Sequence, residues 1–192
     1  VPESTNIRYA GRDIRTGEIV LHKGSVLRPA DIGIIASLGL KSAKVVQRPQ
    51  IAVLATGNEL LQPDENHEAG RIYDSNSYSL ASAITSAGGI PNMLGIAKDN
   101  ADSLLKKLHE GVTKDLLITS AGVSKGDYDL VKDVLVKNGT IKLWSVRMRP
   151  AKPIAFGIFN GPNGGKTPLL GLPGNPVSTL VGFEQFGRPA IL

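Results

Sequence analysis

The chain has 192 residues, 41% hydrophobic and 20% charged, enough for one ordinary domain with a full core plus a smaller piece. It contains no cysteine, which excludes disulfides, thiolate zinc sites and cysteine nucleophiles. No apolar run approaches the roughly 20 residues that span a bilayer, the polar start Val1-Pro2-Glu3-Ser4 is no signal peptide, and a soluble, cytoplasmic protein is expected. The net charge of +5 arises from 22 basic residues scattered among 17 acids without a long single-sign block, so nucleic acid and membrane are not expected partners.

Residues 1–48 are expected to form a small β-rich segment. Gly17 to Leu21 and Lys23 to Leu27 suit short strands joined at glycines. Asp31 suits the cap of a short helix from Ile32 to Leu38, with Gly39 as its stop, and a β-branched run from Ala43 to Val46 follows. This piece is too small to hold a core alone. The start at Val1 and the stop at Leu192, just after an apparent helix, predict a piece of something longer.

From Pro49 to Leu192 strand and helix patterns alternate. Ile51 to Ala55 is a continuous apolar run, as in a strand buried on both faces. A helix starts near Asp74-Ser75-Asn76 and ends at Gly88-Gly89, and a strand follows around Met93 to Ala97. Asn100 caps a helix that stops at Gly111. Asp115 to Thr119 is a third buried strand, and Leu130 to Val136 lies in a helix that ends at Gly139. Ile141 to Val146, Ile154 to Phe159 and Pro168 to Leu172 are strand-like, with a hairpin turn at Asn160 to Gly165 between the last two. Asn175-Pro176 opens a closing helix. This alternation predicts an α/β fold, a doubly wound, mostly parallel sheet with helices on both faces and antiparallel strands at one edge.

Ligands of such sheets bind beyond the carboxyl ends of the strands, where strand order reverses. Those ends carry Thr56-Gly57-Asn58-Glu59, Lys98-Asp99-Asn100, the long loop from Ser120 to Asp129, and Leu172 to Ser178. Small residues in the third loop let backbone N–H groups face an anion, with Ser120 and Ser124 adding hydroxyls, although such a turn also occurs for structural reasons alone. The spacing is neither a P-loop nor a dinucleotide fingerprint. Glu59, Asp99, Asp127 and Asp129 would repel phosphate unless a hard divalent cation sits between; alternatively, Asp99, Asp127 and Asp129 cap turns and helices. Arg147, Arg149 and Lys152 offer permanent cations to an oxyanion, or simply guard a strand edge. Asn175 and Ser178 are hydrogen-bond donors on a rigid Pro-Gly-Asn-Pro turn. The three histidines lack ligand spacing.

Taken together, five stretches resemble the molybdopterin molybdenumtransferase family, the MoeA proteins and the gephyrin E domain. They are Ala55 to Leu60, Tyr73 to Ser77, Gly122 to Asp129, Arg149 to Pro153 and Leu172 to Ser178, spread in order over about residues 49–188. The resemblance implies a molybdopterin-binding domain of a larger homodimer. The reaction it implies consumes adenylylated molybdopterin, inserts molybdate, releases AMP and requires magnesium (Mg2+). By motif position, Glu59, Asp99 and Asp129 become the catalytic acids, with Asp127 and Asp129 at the metal. Substrate contacts fall to Thr56, Gly57, Asn58, Asp74, Asn76, Ser120, Gly122, Val123, Ser124, Gly126, Arg149, Lys152, Pro173, Gly174, Asn175 and Ser178. Molybdopterin and molybdate are then the ligands, and the adenylyltransferase of the same pathway is a partner. Ala121 and Ala151 stand where the family has glycine, a change that is tolerable if both keep negative φ. Two competing expectations are the adenylyltransferase of the sister family, which shares the fold, and a non-catalytic scaffold of gephyrin type.

Overall fold

The structure, a computed structural model, describes residues 5–121 and 128–192, leaving the side chains of residues 128–132 and 143–144 outside the description. The chain divides into two compact units, Val1–Gln47 and Arg48–Leu192. Among the described residues of the first unit, the regular element is a helix, α1 (Pro29–Ser37). The strands expected at 17–21 and 23–27 do not form, nor does the one at 43–46, so the described residues of this unit are not β-rich. Gly17 and Gly24 adopt φ of 86° and 90°, and the flanking backbone closes turns, Glu18 N–H to the Arg15 carbonyl and Ser25 N–H to the His22 carbonyl. A chain that turns back at each glycine has no length left to pair. Asp31 does not precede α1 as its cap; it sits in the first turn and accepts the Arg28 N–H at 2.8 Å. Gly39, at φ 75°, ends the helix as expected.

The second unit is built on a six-stranded sheet. Its strands are β1 (Gln50–Thr56), β4 (Ile90–Ala97), β5 (Leu116–Ser120), β6 (Gly139–Ser145), β7 (Pro153–Asn160) and β8 (Lys166–Leu172), in the order β4-β1-β5-β8-β7-β6. The first four in that order are parallel, while β7 and β6 add an antiparallel edge. Two short strands, β2 (Leu60–Leu61) and β3 (Ile72–Tyr73), form a separate parallel ladder.

Alternation within the apolar strands feeds two cores. Ile51, Val53, Leu116, Ile118 and Leu170 face one side, covered by Leu80 and Ile84 of α2 (Asn76–Ser86) and by Phe183, which follows directly on the helix Pro176–Gly182. Ala52, Leu54, Leu117, Leu169 and Phe159 face the other. There they meet Leu104 and Leu108 of α3 (Ala101–Gly111) and Val134 and Leu135 of α4 (Tyr128–Lys137). Burial on both faces is why these strands are apolar at successive positions rather than alternately polar. Asn100 caps α3, its side chain accepting the Ser103 N–H at 2.8 Å. The closing helix, labelled α5 (Pro176–Gly182), begins at Asn175, which accepts the Ser178 N–H at 3.2 Å. Among the described residues no helix is long and apolar enough to cross a membrane.

Phe159 is fully buried among aliphatic side chains. Truncation to alanine should cost about 3–5 kcal/mol through lost transfer energy and the cavity left behind. Urea denaturation at unchanged m-value checks this.

Candidate functional site

Because β1, β4, β5 and β8 are parallel, Thr56, Ala97, Ser120 and Leu172 all end at one edge of the sheet. The chain leaves β1 for β4 on one side, and the next strand, β5, lies on the other. The reversal opens a crevice between β1 and β5. A cleft of about 470 Å³ occupies this end, walled by Glu59 and Leu60, by residues 72–76, by Ser120 and Ala121, and by Pro153, Pro173 to Pro176 and Ser178. A second cavity, of about 430 Å³, is lined by residues 148–153 and Ser178. Pro153 and Ser178 line both, so the two adjoin.

Each wall is held by local hydrogen bonding. Gly57 takes φ 148°, and a Cβ on it would lie 2.5 Å from Oε1 of Glu59. The missing side chain is therefore what lets the Glu59 carboxylate lie back over the turn. Glu59 is tied to the neighbouring segment by Ile72 N–H donating to its carbonyl at 2.8 Å, and Asp74 N–H donates to the Leu61 carbonyl at 2.9 Å. This ladder brings Glu59 and Asp74 to one cleft. Oδ1 of Asp74 accepts the Ser77 N–H at 3.0 Å at the start of α2, while Oδ2 is buried without a partner among the described residues. Asn76 Nδ2 donates to the Gly174 carbonyl at 2.7 Å, and Thr179 Oγ1 to the Pro173 carbonyl at 2.6 Å. The Pro-Gly-Asn-Pro turn is thus fastened to α2 and to its own helix.

Of the residues expected from sequence, the main cleft brings together Glu59, Asp74, Asn76, Ser120, Pro173, Gly174, Asn175 and Ser178. Arg149 and Lys152 line the adjoining cavity with Ser178. Thr56, Gly57, Asn58 and Asp99 line neither of these two cavities. Asp99 and Asn58 bond reciprocally: Oδ2 of Asp99 accepts the Asn58 N–H at 3.1 Å, and Oδ1 of Asn58 accepts the Asp99 N–H at 3.2 Å. Gly122, Val123, Ser124, Gly126 and Asp127 lie outside the described residues, as does the side chain of Asp129. Among the described residues no three acidic or histidine side chains converge on a common metal position. Ile72 lines the cleft without having been singled out, and Leu60 and Tyr73 stood at the ends of motif stretches without being given a role, because a two-residue strand has no period to read.

The condition for the two alanines is not met. Ala121 has φ 73° and Ala151 φ 69°, so both occupy the left-handed region. Ala121 also packs over Gly174, where an added Cβ would lie 3.1 Å from its methyl.

Residues 52–192 match the family model of the probable molybdopterin binding domain, and residues 1–39 match that of the MoeA N-terminal region (domain I and II). The chain belongs to the molybdopterin-binding domain family and is of MoeA type. It is 36% identical over 187 residues to a molybdopterin molybdenumtransferase of Haemophilus influenzae, across 97% of this chain and 45% of that protein. It is 39% identical over 193 residues to molybdopterin molybdenumtransferase 2 of Mycobacterium tuberculosis, across 97% and 46%. It therefore spans under half the length of these curated relatives. The crystal structure of a molybdopterin biosynthesis MoeA protein from Pyrococcus horikosii superposes with a TM-score of 0.80 at 30% identity, covering 93% of this chain and 44% of that one. The tungsten cofactor synthesizing protein MoaB of Pyrococcus furiosus shares the fold, with a TM-score of 0.55 at 15% identity over 74% of this chain and 92% of its own.

A left-handed alanine costs about 1–2 kcal/mol, against about 0.4–1 kcal/mol that alanine gains over glycine by restricting the unfolded chain. Ala121→Gly should therefore stabilise the protein by up to about 1.6 kcal/mol. Ala151 is 2% exposed, and losing its buried methyl, about 0.8 kcal/mol, should leave Ala151→Gly near neutral. Paired thermal melts separate the two outcomes.

Proposed function

We propose that this domain, as part of a longer protein, inserts molybdate into adenylylated molybdopterin with release of AMP in molybdenum cofactor biosynthesis. The observation that carries the reading is the pair of adjoining cavities, one bordered by acidic side chains and the other by basic ones, at the strand ends of a molybdopterin-binding fold. The names of the relatives support it independently.

The assignment divides the chemistry by charge. Arg149 and Lys152 hold molybdate in the second cavity, where both bring basic side chains and Arg offers a planar set of donors to an oxyanion. The pterin and its phosphate extend along the larger cleft, where Ser120, Asn175 and Ser178 provide hydrogen bonds. By the motif resemblance, Gly122, Val123, Ser124 and Gly126 are further substrate contacts, outside the described residues. Glu59, Asp99 and Asp129 are the catalytic acids and position the water or molybdate oxygen that attacks the adenylate phosphorus. Because the two cavities share Pro153 and Ser178, the oxyanion waits beside the dithiolene, and proximity rather than a strong nucleophile supplies much of the rate.

Magnesium is part of the proposal. Asp127 and Asp129 have the hard oxygen donors that suit it, and the bound ion would neutralise phosphate charge beside the acids. A homodimer, a cytoplasmic setting and hand-over from the adenylyltransferase of the same pathway are inferred from the motif resemblance.

Two variants test the assignment. Glu59→Ala and Asp129→Ala should each abolish molybdate transfer in the intact protein while leaving the thermal melt within a few degrees of native. Full activity in either would remove that acid from the mechanism. Binding of molybdopterin and its adenylylated form, titrated with and without magnesium, should weaken when the ion is withheld or when Asp129 is replaced. A requirement for ATP instead of the adenylylated pterin would identify the sister adenylyltransferase activity.

A further inference from the structure

The turn that carries Glu59 has an attachment that none of the motifs predicted. Arg71 donates from both Nε, at 3.2 Å, and Nη2, at 3.0 Å, to the single carbonyl oxygen of Asn58. Its Nη1 pairs with Glu68 at 3.0 Å, and the side chain is 34% exposed. The carbonyl it holds belongs to the peptide that joins Asn58 to Glu59. Two donors from one rigid, charged plane fix the direction of that peptide more firmly than one flexible ammonium would. Asn58 in turn makes the reciprocal pair with Asp99. Glu68, Arg71, Asn58 and Asp99 thus form one chain of contacts across the segment before β3, the turn after β1 and the loop after β4.

We propose that Arg71 is a positioning residue for the acids of the site, acting through the Asn58 backbone on Glu59 and through the Asn58 side chain on Asp99. The inference rests on the proposed function for its catalytic consequence, but not for its structural one. Glu68 is exposed, and its pair with Arg71 contributes little to the clamp. The four hydrogen bonds at Asn58 are what matter. Without Arg71, the 57–59 turn keeps the Ile72 tie at Glu59 but loses the one that orients the preceding peptide.

The test compares Arg71→Met, Arg71→Lys and Glu68→Gln in the intact protein with two readouts. Amide hydrogen exchange at Asn58 and Asp99 should rise about tenfold in Arg71→Met relative to the buried Ile118 amide, the loss expected for hydrogen bonds to a charged group. Arg71→Lys should recover part of the protection, and Glu68→Gln should match the native protein. In the transfer assay, kcat of Arg71→Met should fall about tenfold at unchanged KM for the adenylylated pterin, because a misdirected acid is felt only in the chemical step. Native exchange at Asn58 and Asp99, or native kcat alongside raised exchange, would overturn the proposal. If the native protein gives no turnover while Arg71→Met still loosens both amides, the functional reading fails and the positioning role stands on exchange alone.

Discussion

Strand β1 is the constraint on which the domain depends. Both of its edges are occupied by parallel neighbours, β4 and β5, and every side chain from Ile51 to Thr56 is buried. A strand enclosed on four sides can release its chain only at its end, and the two neighbouring strands release theirs at the same level. The loops after β1, β4, β5 and β8 therefore crowd one edge of the sheet whatever their sequences. What the sequences decide is how that edge is furnished.

The furnishing is mostly hydrogen bonding among the loops themselves. Asn76 holds the Gly174 carbonyl, Asp74 caps α2, Asn175 caps α5, and Asn58 and Asp99 brace each other. Several residues expected to meet a ligand thus also hold a wall in place, and some do so with most of their polar groups. A site built this way is organised before its ligand arrives, which favours chemistry that depends on placement. Ala121 and Ala151 show the opposite tendency. Each keeps a glycine-like backbone while adding a methyl, so stability is given up at Ala121, whereas burial of the methyl offsets the strain at Ala151.

Charge separation completes the arrangement. Glu59 and Asp74 border one cavity, Arg149 and Lys152 the other, and Pro153 with Ser178 stands between them. Acids and cations at direct contact would neutralise each other. At the distance of a shared wall, each can serve a different part of one extended ligand. This is the feature on which the proposed molybdate insertion, rather than pterin binding alone, rests.

Local pattern was enough to place the six strands of the main sheet and helices α2 to α5 of the second unit, because burial on both faces leaves unbroken apolar runs and the turns between them carry glycine, proline and capping side chains. It also selected Glu59, Ser120, Asn175 and Ser178, since unusual polar residues fell at predicted strand ends. Tertiary structure alone decided the rest. The ladder of Leu60–Leu61 on Ile72–Tyr73 has no period, yet it sets Glu59 beside Asp74. The strands expected before residue 48 did not form, because pairing needs a partner that a local pattern cannot supply. Arg71 looked like any surface cation until the fold brought it to the Asn58 carbonyl. Backbone sign at Ala121 and Ala151 was likewise set by the loops around them. Periodicity records which face of an element is dry, whereas contacts between elements depend on distances that only the folded chain possesses.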